Sequence, residues 1–290
     1  MRPYPEDGSR MVDGQALVLG GGGVAGIAWI TGLLTGLAEA GQDVTGADLI
    51  VGTSAGATAA AQVGSGLPLD DLFARQTEPA LQSREIPVDV ELDKFAAEWA
   101  ELMAGVTSPQ DALRRVGAYA LAAETVPEAM RRGVIESRLP SHDWPSRRIL
   151  LVAVDAGTGE TRVFDRESGA SLVDAVAASC AVPGIWPPVT IGGRRYVDGG
   201  VRSSDNADLA EGSERVVVIS PLGYNSPLPS PMPLREVVHR LRAGGSEVTV
   251  VAPDEASAAA IGANPLDPAT RVPAAEAGRA QGRGGLVGAG

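Results

Sequence analysis

The stretch DLIVGTSAGATAAAQVG (residues 48–64) decides the fold. Its opening apolar residues, Leu49 to Val51, read as a short buried strand, and the small-residue run after Ser54 reads as a helix that must come close to something. Between them, Gly52-Thr53-Ser54-Ala55-Gly56 fits G-x-S-x-G, the nucleophile elbow. That chemistry needs a serine on a sharp strand-to-helix turn, its hydroxyl exposed and a helix N-terminus behind it. The turn presses helix against strand, so its neighbours must be small. Ala55, Gly56, Ala57, Ala59, Ala60 and Ala61 all are, and Ser54 is the candidate nucleophile.

Upstream, QALVLG (residues 15–20) is a second apolar run, and it ends in four consecutive glycines, Gly20 to Gly23. Ile27, Ile30, Leu34 and Leu37 then follow at helical spacing, with Gly41 where a C-terminal cap belongs. Gly32 and Gly36 weaken this helix, so they predict close packing, with the sheet as the expected neighbour. Strand, glycine turn and helix thus occur twice in quick succession, the rhythm of an α/β fold with a mostly parallel central sheet flanked by helices. Downstream, residues 67–144 form a helical insertion, with helices predicted over 93–104, 109–124 and 127–139. Strands resume at 148–155 and 161–164. A hairpin turns at Gly192-Gly193 between 189–191 and 194–197, since both turn positions tolerate positive φ. Further strands fall at 215–220 and 247–252, with a helix at 234–243 between them. The expectation is one domain over 15–277, with flexible segments at 1–14 and 278–290.

Gly21-Gly22-Gly23-Val24-Ala25-Gly26 has two physical readings. It matches the dinucleotide fingerprint G-x-G-x-x-G, and it also presents bare amides at a helix N-terminus, suited to a developing oxyanion. The fingerprint needs an acidic residue at the end of the next strand to hold a ribose. That strand ends in Gly-Thr-Ser, so the oxyanion reading for Gly21, Gly22 and Gly23 prevails.

A serine nucleophile needs a base. Asp198-Gly199-Gly200 leaves the second hairpin strand, and histidine is nearly absent from the chain: only His142 and His239 occur. His142 lies in the connector SHDWPS. His239 falls on a helix whose buried side is Leu234, Val237, Val238 and Leu241, which leaves the imidazole on a solvated face. A Ser54–Asp198 dyad remains.

These blocks together resemble the patatin-like phospholipases, a family of lipid acyl hydrolases. The resemblance covers about residues 16–210: the glycine loop through Gly26, the elbow from Gly52 to Gly56, ASCAVPGIWPPV (residues 178–189), and the triplet Asp198-Gly199-Gly200. It implies a three-layer α/β fold, Ser54 as nucleophile, Asp198 as base, and an oxyanion hole of amides around Gly21, Gly22 and Gly23. No cofactor or metal is expected. One departure is Ala25, where many members carry Arg or Lys; it leaves open whether the ester is a phospholipid.

Composition narrows the partners. A net charge of −12 lacks the basic footprint that nucleic acid requires. The single cysteine, Cys180, allows no internal disulfide and reads as a small buried hydrophobe. Residues 1–14 have no apolar targeting core, so a soluble, cytoplasmic protein is expected, with peripheral membrane contact left open. Two other functions compete with the acyl hydrolase: a dinucleotide-binding oxidoreductase, resting on the glycine loop alone, and a catalytically silent binding protein of the same fold. The insertion is expected to cover an acyl pocket, with bulky residues such as Trp99 lining a groove beside Ser54.

Overall fold

The computed structural model describes residues 12–88, 92–224 and 230–286. Its elements run β1 (Val12–Leu19), α1 (Gly23–Glu39), β2 (Leu49–Gly52), α2 (Ala55–Gly64), α3 (Leu69–Thr77), α4 (Leu92–Met103), α5 (Pro109–Ala122) and α6 (Glu128–Arg138). They continue β3 (Arg148–Asp155), β4 (Thr161–Phe164), α7 (Leu172–Ser179), β5 (Val189–Ile191), β6 (Arg194–Asp198), β7 (Ser213–Ile219), α8 (Leu234–Ala243), β8 (Glu247–Val251), α9 (Glu255–Ile261) and α10 (Arg271–Gly282).

One sheet, in the order β5-β6-β3-β2-β1-β7-β8 with β4 also on β3, divides the molecule into layers. Its centre, β3-β2-β1-β7-β8, is parallel, while β4, β5 and β6 pair antiparallel. β1 is apolar without alternation because both faces are covered. Leu17 and Leu19 join the core formed with α1, α2, α7 and α10, whereas Ala16 and Val18 join Leu234, Val237, Val238 and Leu241 of α8 on the other side. Full burial of each such leucine contributes about 1.5–3 kcal/mol. The result is the expected three-layer α/β fold.

The register sets the functional end of the sheet. Gly52 is level with Leu151 on β3, and Asp198 is level with Ala153, two residues further along. Ser54 also lies two residues beyond Gly52. Nucleophile and aspartate are therefore delivered to the same height, at the carboxyl ends of the parallel strands, where open α/β sheets bind their ligands.

Both expected domain boundaries move outward. β1 begins at Val12, where it pairs with Ser213 across an irregularity in register, and α10 runs through Gly282 in place of a flexible tail from 278. Residues 1–11 and 287–290 lie outside the described residues. Glycine is the reason α10 is held. A side chain on Gly32 would overlap the Ala275 carbonyl, one on Gly36 the Arg279 carbonyl, one on Gly278 the Trp29 carbonyl, and one on Gly282 the Leu33 carbonyl. Gly32 and Gly36 therefore serve a helix–helix contact with α10, not the sheet contact expected. Gly32→Ala should lower stability by about 1–3 kcal/mol through overpacking, although alanine is the better helix former by about 1 kcal/mol. A thermal midpoint at or above that of the parent would show that the two backbones do not touch.

Within the insertion, Phe73, Trp99, Met130 and Trp144 do not line the cavity at Ser54; the side chain of Phe95 lies outside the described residues. Trp99 packs with Leu113, Val116, Val154, Val197 and Val201 in a separate cluster. Phe73 and Trp144 lie against the main core, and Met130 is exposed. No helix among the described residues is long and apolar enough to cross a membrane.

Candidate active site

Ser54 caps α2 with φ 53° and ψ −114°, one of two non-glycine residues with positive φ among those described. That conformation is unfavourable by about 1–3 kcal/mol and persists only where the surroundings impose it. Here they do. Thr53 N–H donates to the Leu19 carbonyl at 3.0 Å, and Gly56 N–H to the Gly20 carbonyl at 3.0 Å, locking the elbow to the end of β1. A Cβ on Gly56 would overlap the Leu19 carbonyl, and one on Gly52 would reach the Gly56 carbonyl oxygen at 2.7 Å. The small residues of the motif are thus required by backbone contact.

The segment after α7 ties nucleophile and aspartate together. Ser179 Oγ accepts from Ser54 N–H at 3.0 Å, Cys180 Sγ donates to the Ser54 carbonyl at 3.1 Å, and Asp198 N–H donates to the Ala181 carbonyl at 3.0 Å. Three consecutive residues hold both sides of the site. Burial pushes the Cys180 thiol up to about 11, so it stays protonated and acts as a donor, not a nucleophile.

Asp198 is 4% exposed. Its Oδ1 accepts from Gly200 N–H at 2.7 Å, and Oδ2 has no hydrogen-bond partner among the described residues. Burial pushes the carboxyl up to about 7, against smaller downward pulls from Gly200 N–H, the Ser54 hydroxyl and the Arg131 charge. The Ser54 hydroxyl is therefore close enough to be felt, without completing a hydrogen bond to Oδ2. Gly199 has no room for a side chain, since a Cβ would overlap the Val152 carbonyl.

The glycine loop lies against the elbow, with Gly21 3.5 Å from Ser54 Cβ when a Cβ is built on it. Its three amides are not equivalent. Gly21 N–H is turned to the Ser204 carbonyl at 2.8 Å, which corrects its expected place in the oxyanion hole. Gly22 and Gly23 open α1, and their amides make no hydrogen bond among the described residues. Gly26 N–H closes the first turn onto the Gly22 carbonyl at 2.7 Å. Pro221 and Pro265 wall this loop: a Cβ on Gly22 would meet Pro221 Cβ at 2.6 Å, and one on Gly23 the Pro265 carbonyl oxygen at 2.5 Å.

Sequence reasoning missed three groups. Asn206, fully buried, sends Nδ2 to Thr53 Oγ1 at 3.0 Å, the Gly199 carbonyl at 3.2 Å and the Ser203 carbonyl at 2.8 Å, joining the elbow to the aspartate loop. Asp205, fully buried, has no hydrogen-bond partner on either oxygen among the described residues and lies against Gly20; burial pushes it up to about 7, against a smaller downward pull from the Ser220 hydroxyl. Third, Arg131 and Arg138 of α6, with Glu85, line the same cavity as Ser54. Asn206 follows Asp198 by eight residues, but nothing in its neighbours announces where its amide goes. The two histidines stay apart from the site: His239 is exposed on α8, across the sheet from α2, and His142 is exposed beside Glu136.

Two solved structures are similar to this chain at 14% identity. VipD from Legionella pneumophila has a TM-score of 0.44, with 94% of this chain and 66% of that chain covered. The type III effector protein ExoU has a TM-score of 0.40, with 96% and 53% covered. This chain thus spans just under two thirds of the first and about half of the second. No curated protein matches it. The family model for patatin-like phospholipase, however, matches residues 17–211, which include the glycine loop, the elbow, the segment after α7 and Asp198. The chain belongs to the patatin-like phospholipase family.

Proposed function

We propose that this chain is a lipid acyl hydrolase in which Ser54 is the nucleophile and Asp198 the general base. The observation that carries the reading is a serine held at φ 53° whose hydroxyl acts on a buried carboxyl, with Asp198 Oδ2 lacking any other hydrogen-bond partner among the described residues. Ser54 Oγ attacks the ester carbonyl as its proton passes to Asp198 Oδ2. Charge on the carbonyl oxygen is met by the Gly22 and Gly23 amides and the positive end of α1. Collapse expels the alcohol, which takes the proton from Asp198. A water then gives a proton to Asp198, attacks the acyl-enzyme and releases the acid, and the proton returns to Ser54. A carboxylate with an ordinary pKa near 3.9 is a weak base for this work; the upward push from burial is what suits Asp198 to it.

The dinucleotide reading is not favoured. The strand after the glycine loop ends in Gly52-Thr53-Ser54, without the acidic residue that would hold a ribose.

The test combines a fluorophosphonate label with an acyl-ester panel. The label should map to the peptide bearing Ser54, and at least one lipid ester should turn over without added cofactor. His142→Ala and His239→Ala should each remain within about threefold of the parent, because neither imidazole stands at the dyad. Loss of activity in a folded His239→Ala protein would replace the dyad with a triad and overturn the assignment.

A further inference from the structure

The Ser54 cavity contains an excess of buried positive charge that ester hydrolysis by the dyad does not use. Arg138, at the end of α6, grips Glu85 with both prongs: Nε to Oε1 at 3.0 Å and Nη2 to Oε2 at 2.6 Å. Arg271, the first residue of α10, adds Nη2 to Oε1 at 2.6 Å and also holds the Ser83 carbonyl at 3.1 Å. Arg131 is 3.8 Å from the same carboxylate. The three arginine side chains are only 6–7% exposed and Glu85 only 3%.

The donors outnumber what is bound. Nε and Nη1 of Arg131 and Nε of Arg271 have no hydrogen-bond partner among the described residues. The Arg131 guanidinium carbon lies over Trp186, 3.7 Å from the ring centroid, a cation–π contact that holds the side chain beside Glu85. Three guanidiniums facing one carboxylate leave about two positive charges, and buried charge without a partner is strongly unfavourable. Ala25 supplies no cation at the glycine loop; Arg131 and Arg138 line the cavity with Ser54, and Arg271 joins them through Glu85.

The cavity is also narrow. It is lined by Ser54, Glu85, Ile86, Arg131, Arg138 and Trp186 among others, and about 20 Å³ of it is free, room for a water and not for an ester. Glu85 and Ile86 come from the connection after α3, and Glu85 is the anion among the lining residues. An ester that enters must push part of this lining aside.

We propose that Arg131, Arg138 and Arg271 form a phosphate site within the acyl-ester cavity, that it binds the phosphate-monoester headgroup of the lipid substrate, and that Glu85 is its resting occupant. This rests on the acyl-hydrolase reading and names the substrate class. Planar guanidinium forks match phosphate oxygens as they match the Glu85 carboxylate, and a monoester, with close to two negative charges, balances the three guanidiniums better than the single charge of the Glu85 it replaces. Binding exchanges one anion for another: Glu85 swings out with its loop, and the ester carbonyl follows toward Ser54.

The experiment compares 1-oleoyl lysophosphatidate with 1-monooleoylglycerol, the same acyl ester without the phosphate, on the intact chain. The parent should prefer the phosphate-bearing ester by about tenfold or more in kcat/KM, the equivalent of one charge-assisted contact. Arg131→Gln and Arg271→Gln should each collapse that ratio toward one. Glu85→Gln should move the other way, raising the ratio severalfold by removing the competing anion. Because Glu85→Gln leaves three buried cations unpaired, it should also melt earlier. Lysophosphatidate below its micellar concentration should restore its thermal midpoint by more than it raises the parent's, and monooleoylglycerol should not. Equal rates on the two esters, a ratio untouched by the arginine variants, or rescue by inorganic phosphate alone with no ester preference would overturn the headgroup site. No turnover of any ester, with the lysophosphatidate rescue intact, would instead refute the hydrolase reading and leave the phosphate site standing.

Discussion

Ser54→Ala is expected to abolish both turnover and fluorophosphonate labelling, a fall of about 10⁴-fold or more in kcat. No other group can replace Oγ. Thr53 is committed to Asn206, and the Cys180 thiol is pushed up to about 11 and donates to the Ser54 carbonyl. The variant should remain folded, because the bonds that shape the elbow use the backbone of residues 53–56 and not the Ser54 hydroxyl. Ser54→Gly gives the matching stability measurement. It relieves the positive φ, so it should melt above the parent while remaining just as inactive. If Ser54→Gly instead melts below the parent, the strain argument for the elbow fails.

Asp198→Asn should reduce kcat/KM by about 10²- to 10⁴-fold, retaining the Gly200 contact at Oδ1 while removing the proton acceptor. Its pH dependence is the sharper signature. With the carboxyl pushed up to about 7 by burial, the base is ionised only above that pH, so kcat/KM of the parent should fall about tenfold per pH unit below it. The variant's residual rate should lack that limb. Stability carries the opposite sign. A carboxyl whose folded pKa is raised contributes stability that is fully present below its unfolded pKa of about 3.9 and is lost as pH rises through about 7. The neutral amide avoids this loss, so at pH 8 Asp198→Asn should melt no lower than the parent. A variant that is inactive because it is unfolded would melt lower, and a parent profile flat from pH 5 to 8 would rule out Asp198 as the base.

What could be read from the sequence was whatever local backbone geometry dictates. The elbow declares itself because a positive-φ serine between strand and helix tolerates only small neighbours, and Leu19 and Ala57 are the backbone reasons. The hairpin at Gly192-Gly193 and the exit at Asp198-Gly199 were equally local, and the sheet followed from their rhythm. Features that depend on partners distant in sequence stayed hidden. Gly32 and Gly36 announced a close approach without naming α10, because that helix lies some 240 residues further on. Arg131 and Arg138 have the spacing of ordinary solvated helix residues. Their partners, Glu85 and Trp186, lie some 50 residues away in sequence. Gly21 was misjudged for a related reason: the carbonyl that takes its amide belongs to Ser204, on the far side of the aspartate loop.

The walls of the glycine loop have a bearing on how this fold can be recombined. Pro221 and Pro265 seat Gly22 and Gly23, the Pro265 carbonyl accepts from Ala25 N–H at 3.0 Å, and α10 braces α1 from behind. All three lie beyond residue 211, where the family resemblance stops. The recognisable segment is therefore not a portable cassette. Shuffled into a relative without its own downstream chain, it would bring the nucleophile along and lose the mould that shapes the anion-binding turn.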